Sequence, residues 1–316
     1  MNSTRQAGRA RGVGLVPEPR PLPPVVLSRP DREADIARGV KAGQLERIRR
    51  GAYRVARNAA EGVALERERR VLERIAAELE SRTSAFWFSH TSAALLWGCW
   101  TWRLADEVHT VQLTPPDVPG FDRSLRRHWS KDLPERDRAT LAGVPVTSLA
   151  RTAVDCARLL RPEQAVVVVD SALRMGAASD ELARILGEHA GRRGVRSARR
   201  VLQVADGRVE SPGESLVRWF IVEAGMPRPV AAVPVDTWSG RRWVDLGWPE
   251  LKIGLEFDGA LKYDGTFGDG VQALVAEKAR HDALVEAGWI LIRVTWDDLL
   301  HPERLAARVR AARRRR

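Results

Sequence analysis

Arg241–Tyr263 reads RRWVDLGWPELKIGLEFDGALKY, and the fold of the last third of the chain turns on it. Val244, Leu246 and Trp248 alternate with Trp243, Asp245 and Gly247, the two-residue period of a half-buried strand. Ile253, Leu255 and Phe257 then alternate with Lys252, Gly254, Glu256 and Asp258. Pro249-Glu250 supplies turn chemistry between the two runs, so they are expected to form a β-hairpin. With the turn centred between Glu250 and Leu251, Asp245 faces Glu256. Carboxylates directly opposite on antiparallel strands, with Cβ atoms about 4.5–5.5 Å apart, destabilise the pair. Two resolutions stand open. Either a hard cation, Mg²⁺ or Mn²⁺, is held by Asp245 and Glu256, with Asp258 two residues on along the same face, or the register differs by a residue and one carboxylate turns to solvent.

Working outward, VESPGESLVRWFIVEAG precedes the hairpin. Ser211 suits an N-cap, Pro212 the first helical position, and Glu214 falls three residues after the cap, where it can also be the reciprocal half of a capping box. PVAAVPV reads as a further strand, YDGTFGDG as a Gly-rich loop, and a helix is expected from Val271 to Ala287. WILIRVTW is a nearly continuous apolar strand of the kind found at buried sheet positions, and a last helix from Asp297 ends in Arg313–Arg316. The order over residues 208–316 is helix, three strands, helix, strand, helix.

With Glu214, Asp245, Glu256-Phe257-Asp258-Gly259, EKARHDALVEAGW and WILIRVTWDDL, this order resembles the PD-(D/E)XK nuclease superfamily, and within it the branch related to very-short-patch-repair endonucleases. The resemblance implies a restriction-endonuclease-like αβββαβα domain over 208–316. It also implies Asp245 and Glu256 as ligands of Mg²⁺ or Mn²⁺ and Glu214 as an accessory acid. Most members hold a lysine two residues after the second acid, whereas this chain has Asp258. Lys262 is the preferred substitute, with Lys278 and Arg280 as alternatives.

Toward the N-terminus, DREADIARGVK fits a short helix from Asp31 to Lys41, and LERIRRGAYRV reads as a tight hairpin around Arg50-Gly51. The phrase ARGVKAGQLERIRRGAYRV resembles the N-terminal winged-helix segment of AbiEi-type antitoxin and regulator proteins. That implies a partial winged helix-turn-helix over 31–60 that binds duplex DNA through Arg32, Arg38, Lys41, Arg47, Arg49, Arg50 and Arg54. Pro17, Pro19, Pro21, Pro23, Pro24 and Pro30 make 1–30 an extended or disordered leader, which leaves little room for the first helices of a complete winged fold.

Residues 61–207 are expected as an α+β middle region. LERERRVLERIAAELE, SHTSAALLWG, LARTAVDCARLL and PEQAVVVVDSALRMG read as helices, and VHTVQLT and AGVPVTS as strands. The region resembles the body of AbiEi-type proteins, which implies a scaffold and a surface for a protein partner, toxin-like or a second copy. His90 has neither nucleophile nor carboxylate at a catalytic spacing and reads as a capping-region residue, with Ser89 or Thr91 as the cap. Asp155 and Asp170 read as ordinary helix residues.

Composition bounds these readings. The 316 residues carry 52 Lys/Arg against 41 Asp/Glu, a net charge of +11 that suits an acidic partner. The surplus is N-terminal: residues 1–60 hold 13 basic and 5 acidic side chains, residues 208–316 hold 17 and 16. Cys99 and Cys156 sit in apolar contexts that suit small buried hydrophobes, and no Cys/His spacing points to zinc. No apolar leader segment and no run of 18 apolar residues occurs, so a cytoplasmic, membrane-free α/β multidomain protein is expected. Of two functions from different classes, the preferred is a Mg²⁺-dependent DNA endonuclease. The alternative is a DNA-binding transcriptional regulator or antitoxin whose nuclease-like domain is catalytically silent.

Overall fold

Gly51 takes up a left-handed conformation (φ +78°) and so closes the first hairpin of the chain, as Arg50-Gly51 led us to expect. β1 (Val26–Leu27), β2 (Leu45–Arg49) and β3 (Ala52–Val55) form a sheet in the order β1-β3-β2, with α1 (Glu33–Lys41) preceding β2 and a register shift between Arg47 and Arg49. The structure, a computed structural model, describes residues 18–57, 62–115, 122, 124–259 and 270–316, the last segment by its backbone alone over 270–274. Lys262 lies outside the described residues, as does the leader before residue 18. Of the two forms expected for the leader, extended or disordered, residues 18 to 30 take the extended one. The Arg20 backbone N–H donates to Leu96 O at 3.1 Å, Leu22 packs on a buried apolar cluster, and Val26–Leu27 pairs with β3.

The chain continues through α2 (Val63–Ser81), β4 (Trp87–Phe88), α3 (His90–Trp97), β5 (Val108–Gln112), β6 (Leu125–Trp129), β7 (Arg138–Leu141) and β8 (Val144–Thr147). Helices α4 (Leu149–Leu159), α5 (Pro162–Arg174), α6 (Ser179–Glu188) and α7 (Val195–Val204) follow. The five strands form one sheet in the order β6-β5-β4-β8-β7 with mixed direction: β5 runs parallel to β6 and β4 to β8, while the other pairs are antiparallel. Strands β4, β6 and β7 carry too little alternation to stand out in the sequence. Val71, Ile75, Phe88, Leu95, Leu96 and Val146 bury together as the core of this region.

The last third holds α8 (Pro212–Glu223), β9 (Val230–Thr237), β10 (Gly240–Trp248), β11 (Ile253–Phe257), α9 (Gly270–Glu286), β12 (Ile290–Val294), α10 (Trp296–Leu300) and α11 (Pro302–Arg313). These elements follow the order read from the sequence, with the final helix in two pieces. Their sheet runs β12-β11-β10-β9, antiparallel except for the parallel pair β11–β12. Leu246 pairs with Leu255 and Trp248 with Ile253, the register that centres the turn between Glu250 and Leu251. β11 is covered on both faces. A Cβ on Gly254 would stand 2.6 Å from Val244 Cγ1 and 2.8 Å from Leu291 Cδ2, so only glycine fits between those side chains.

Taken over the described residues, this is a mixed α/β protein with three sheets and eleven α-helices. Two compact units divide it: one comprises Val16–Val168 with Ala177–Ala198, and the other includes Val169–Gly176 and Arg199–Arg316.

Candidate functional site

In the C-terminal unit, Ser211 caps α8 by accepting from the Glu214 N–H at 3.2 Å, with Pro212 in the first turn. The Glu214 carboxylate in turn accepts from the Glu210 N–H at 2.9 Å and from Ser211 Oγ at 2.8 Å. Gly213 lets the Phe257 ring lie against the helix, where a Cβ would come within 2.0 Å of Cε1. That close approach brings the start of α8 to the end of β11. Burial, and then the charge of Asp245, push the Glu214 carboxyl up to about 7. Glu214 and Asp245 are therefore neighbours, and Asp245 Oδ2 also accepts from the Phe257 N–H at 3.1 Å.

Glu256 has a different partner. Arg280 of α9 donates to Glu256 Oε1 at 2.7 Å and Oε2 at 3.1 Å, and the same guanidinium donates to both oxygens of Glu277 at 2.7 and 3.0 Å and to Trp243 O at 3.2 Å. The hydrogen bonds that Arg280 donates to Glu277 and Glu256 raise its pKa above its ordinary value. Asp258 forms an ion pair with Arg293 at 3.6 Å. Of the three cations weighed for the lysine slot, Arg280 stands at the carboxylates and Lys278 is exposed. Both Glu256 oxygens face a guanidinium, so the set Asp245 plus Glu256 as arranged does not fit a Mg²⁺ ion.

The basic segment divides likewise. Arg54 is held by Glu46 at 2.7 Å, Glu66 at 3.4 Å and Glu73 at 3.0 Å, and Arg49 donates to Ala77 O at 2.9 Å and Ser81 Oγ at 2.6 Å. These two side chains tie the hairpin to α2. Arg32, Arg38, Lys41, Arg47 and Arg50 are exposed, Arg38 beside Asp35 on its own helix.

A second constellation, in the other unit, was not read from the sequence. Ser92 Oγ accepts from the His109 N–H at 2.8 Å and the Ser89 N–H donates to His109 O at 3.0 Å, which pins the start of α3 to β5. β5 and β6 pair in parallel with Val111 beside His128 and His109 beside Arg126, so His109 and His128 share a face two positions apart. His90, the first residue of α3, sits in a left-handed conformation at φ +50° that is uncommon for a side-chain-bearing residue. Its ring stacks on His128 with centroids 4.0 Å apart, and His109 Nδ1 lies 2.9 Å from His128 Nε2. Among the described residues these three form the one group of three or more His, Cys, Asp or Glu whose ligand atoms all lie within 4.8 Å of one another.

A cavity of about 340 Å³ opens beside them, lined also by Arg151, Arg158, His189 and Arg192. Arg151 Nε donates to Asp155 at 2.9 Å and its Nη1 to Asp137 at 3.1 Å, while Arg184 reaches the other Asp137 oxygen at 3.0 Å. Asp155 and Asp170 are more than ordinary helix residues. Both are buried, and Asp170, in the C-terminal unit, pairs with the fully buried Arg218. Burial lowers the His90 and His128 pKa values and takes His109 down to about 4. Three histidines spaced along α3, β5 and β6 were the only sequence signal, and it needed the strand pairing to be read.

Residues 92–204 match the family described as the AbiEi antitoxin C-terminal domain. The chain is also 36% identical over 172 residues to uncharacterised proteins from two strains of Mycobacterium tuberculosis, a similarity that covers 54% of this chain and 62% of each of those proteins. The comparisons thus support an AbiEi antitoxin-like domain in the middle of the chain and homology to these mycobacterial proteins.

Proposed function

We propose that the chain is a DNA-binding regulator of the antitoxin type: residues 92–204 engage a toxin-like protein partner, the basic helix and hairpin of 31–60 hold duplex DNA, and the nuclease-like C-terminal domain is catalytically silent. The match of 92–204 to an antitoxin domain carries this reading. The bidentate Arg280–Glu256 contact supports the silent C-terminal domain, because a guanidinium already neutralises the acid that a catalytic cation needs. Arg32, Lys41, Arg47 and Arg50 project into solvent where they can meet phosphates, Arg38 is exposed but paired with Asp35, and Arg49 and Arg54 act within the protein.

Phosphate contacts give the test. Each neutralised phosphate adds about −0.9 to the slope of log affinity against log salt. Duplex binding by the full chain should weaken steeply with salt, and Arg47→Ala with Arg50→Ala should flatten the slope. A slope unchanged by both substitutions contradicts the DNA role of the hairpin. For the partner role, coexpression with the product of an adjoining reading frame should relieve a growth arrest which that product causes alone.

One observation favours a second reading, a Mg²⁺-dependent endonuclease. Glu214 and Asp245 are neighbouring carboxyls at a sheet end, and Glu214 is pushed up to about 7 by that environment. A divalent cation would relieve the repulsion, on condition that Arg280 releases Glu256.

No helix of the described residues is long and apolar enough to cross a membrane.

A further inference from the structure

We propose that His90, His109 and His128 form a three-histidine site for a late transition-metal ion of the Zn²⁺ class, open on its fourth side to the arginine-lined cavity. The proposal is independent of the antitoxin reading. Three imidazoles converge, one ring nitrogen from each, with all three within 4.8 Å of one another. Nitrogens on one tetrahedral Zn²⁺, at about 2.0–2.1 Å from the metal, stand about 3.3 Å apart. His109 Nδ1 and His128 Nε2, at 2.9 Å, already bracket that separation from below, and small side-chain rotations bring all three into range.

The other ring nitrogens are oriented as ligating histidines require. His90 Nδ1 bonds Ser89 Oγ at 2.9 Å, which leaves its Nε2 for the metal. His109 Nε2 faces Glu107 Oε2 at 3.7 Å, which leaves Nδ1, and a carboxylate behind a ligating imidazole fixes its orientation and raises its basicity. A neutral imidazole has one ring-nitrogen lone pair to give, and its other nitrogen carries the proton. Without a metal, at most one hydrogen bond joins His109 to His128, and the stacked ring of His90 gains little from either. The left-handed backbone at His90 is a local cost that ligation would offset. Imidazole nitrogens select Zn²⁺, Ni²⁺ or Cu²⁺ over Mg²⁺, which takes oxygen ligands. The open fourth position would carry water or an anion. Asp137 and Asp155 compensate the charge of Arg151 at the cavity wall, and Arg158 and Arg192, paired with Asp155 at 3.4 Å and Asp132 at 3.6 Å, line the same cavity.

The test is titration of chelator-stripped full-length protein with ZnCl₂ by calorimetry, and with CoCl₂ by visible absorption. We expect one ion per chain and the d–d bands of tetrahedral Co²⁺ with nitrogen ligands. His128 lies half-buried on the edge strand β6, so His128→Gln should leave the far-UV circular dichroism and melting of the metal-free protein close to wild type while lowering Zn²⁺ affinity by at least 100-fold. Glu107→Gln, behind the ligand, should lower it by about 10- to 100-fold. Absence of binding by wild type, or a Zn²⁺ affinity unchanged in folded His128→Gln, overturns the proposal. So does a Co²⁺ spectrum of the weak octahedral kind that oxygen ligands give.

Discussion

The histidines of α3, β5 and β6 and the acids of α8, β10 and β11 are both brought together by strand pairing, yet they differ in what surrounds them. In the C-terminal unit the like charges come with their own cation: Arg280 closes on Glu256 and Glu277, and Arg293 stands by Asp258. In the other unit Arg151 and Arg158 of the cavity wall are matched by Asp137 and Asp155, and the three imidazoles are left facing one another. A cluster neutralised by protein groups has little left for a ligand, whereas three converging neutral donors are incomplete without one. That difference, more than the presence of acids in a nuclease-like order, separates the two as candidate sites.

The largest expected effect lies under the histidine cavity. Asp137 is fully buried between Arg151 and Arg184. Asp137→Asn removes the counter-charge of a buried arginine and should destabilise the protein by about 3–5 kcal/mol, read from urea unfolding. A loss below about 1 kcal/mol would mean that Asp155 alone suffices and that the wall is less rigid than described.

The two regions should respond to pH in opposite directions. Glu214 is raised from 4.5 to about 7 in the folded state. The folded protein therefore holds its proton more tightly than the unfolded chain, and this contribution is complete below pH 4.5 and lost as pH rises toward 7. His109 is lowered from 6.5 to about 4, so the unfolded chain binds that proton first, and stability falls as pH drops from 6.5 toward 4. At about 1.4 kcal/mol per unit, each is worth up to roughly 3.5 kcal/mol. Glu214→Gln should remove the loss on the alkaline side and His109→Gln the loss on the acidic side, both measured as melting temperature against pH. Identical profiles for both variants and wild type would erase the contrast.

A smaller effect follows from Arg280, which is more exposed. Arg280→Ala should cost about 1–3 kcal/mol by leaving Glu256 without its counter-charge. Millimolar Mg²⁺ should then raise the melting temperature of the variant and not of wild type. An equal Mg²⁺ effect on both would show that the guanidinium does not occupy the place of a cation. The smallest change is expected at the hairpin, where Arg47→Ala should reduce the salt slope of DNA binding by about 1.

What could be read in advance was local. Alternation from Trp243 to Asp258 sets the hairpin, and the pairing of Leu246 with Leu255 follows from the Pro249-Glu250 turn. Ser211 and Pro212 announce the start of α8 because capping is decided within four residues. Arg280 was visible as one cation among three, but its choice of Glu256 depends on how α9 lies on the sheet, which no spacing encodes. His109 and His128 meet only because β5 and β6 are parallel, and β6 (LRRHW) lacks the alternation that would mark it as a strand. Asp170 carried no signal of burial, since its ionic partner Arg218 is far away in sequence; Asp155 pairs with Arg151 and Arg158 on its own helix, and that spacing alone does not tell a buried pair from a solvated one.

The central claim, an antitoxin-type DNA-binding protein with a silent nuclease-like domain, is tested most directly by incubating the wild-type protein with supercoiled plasmid in Mg²⁺ and in Mn²⁺, beside Asp245→Ala. The account predicts that both proteins retard the plasmid on a gel and leave it uncut. Nicking or linearisation by wild type that disappears in Asp245→Ala would contradict it and establish the C-terminal acids as a working endonuclease site.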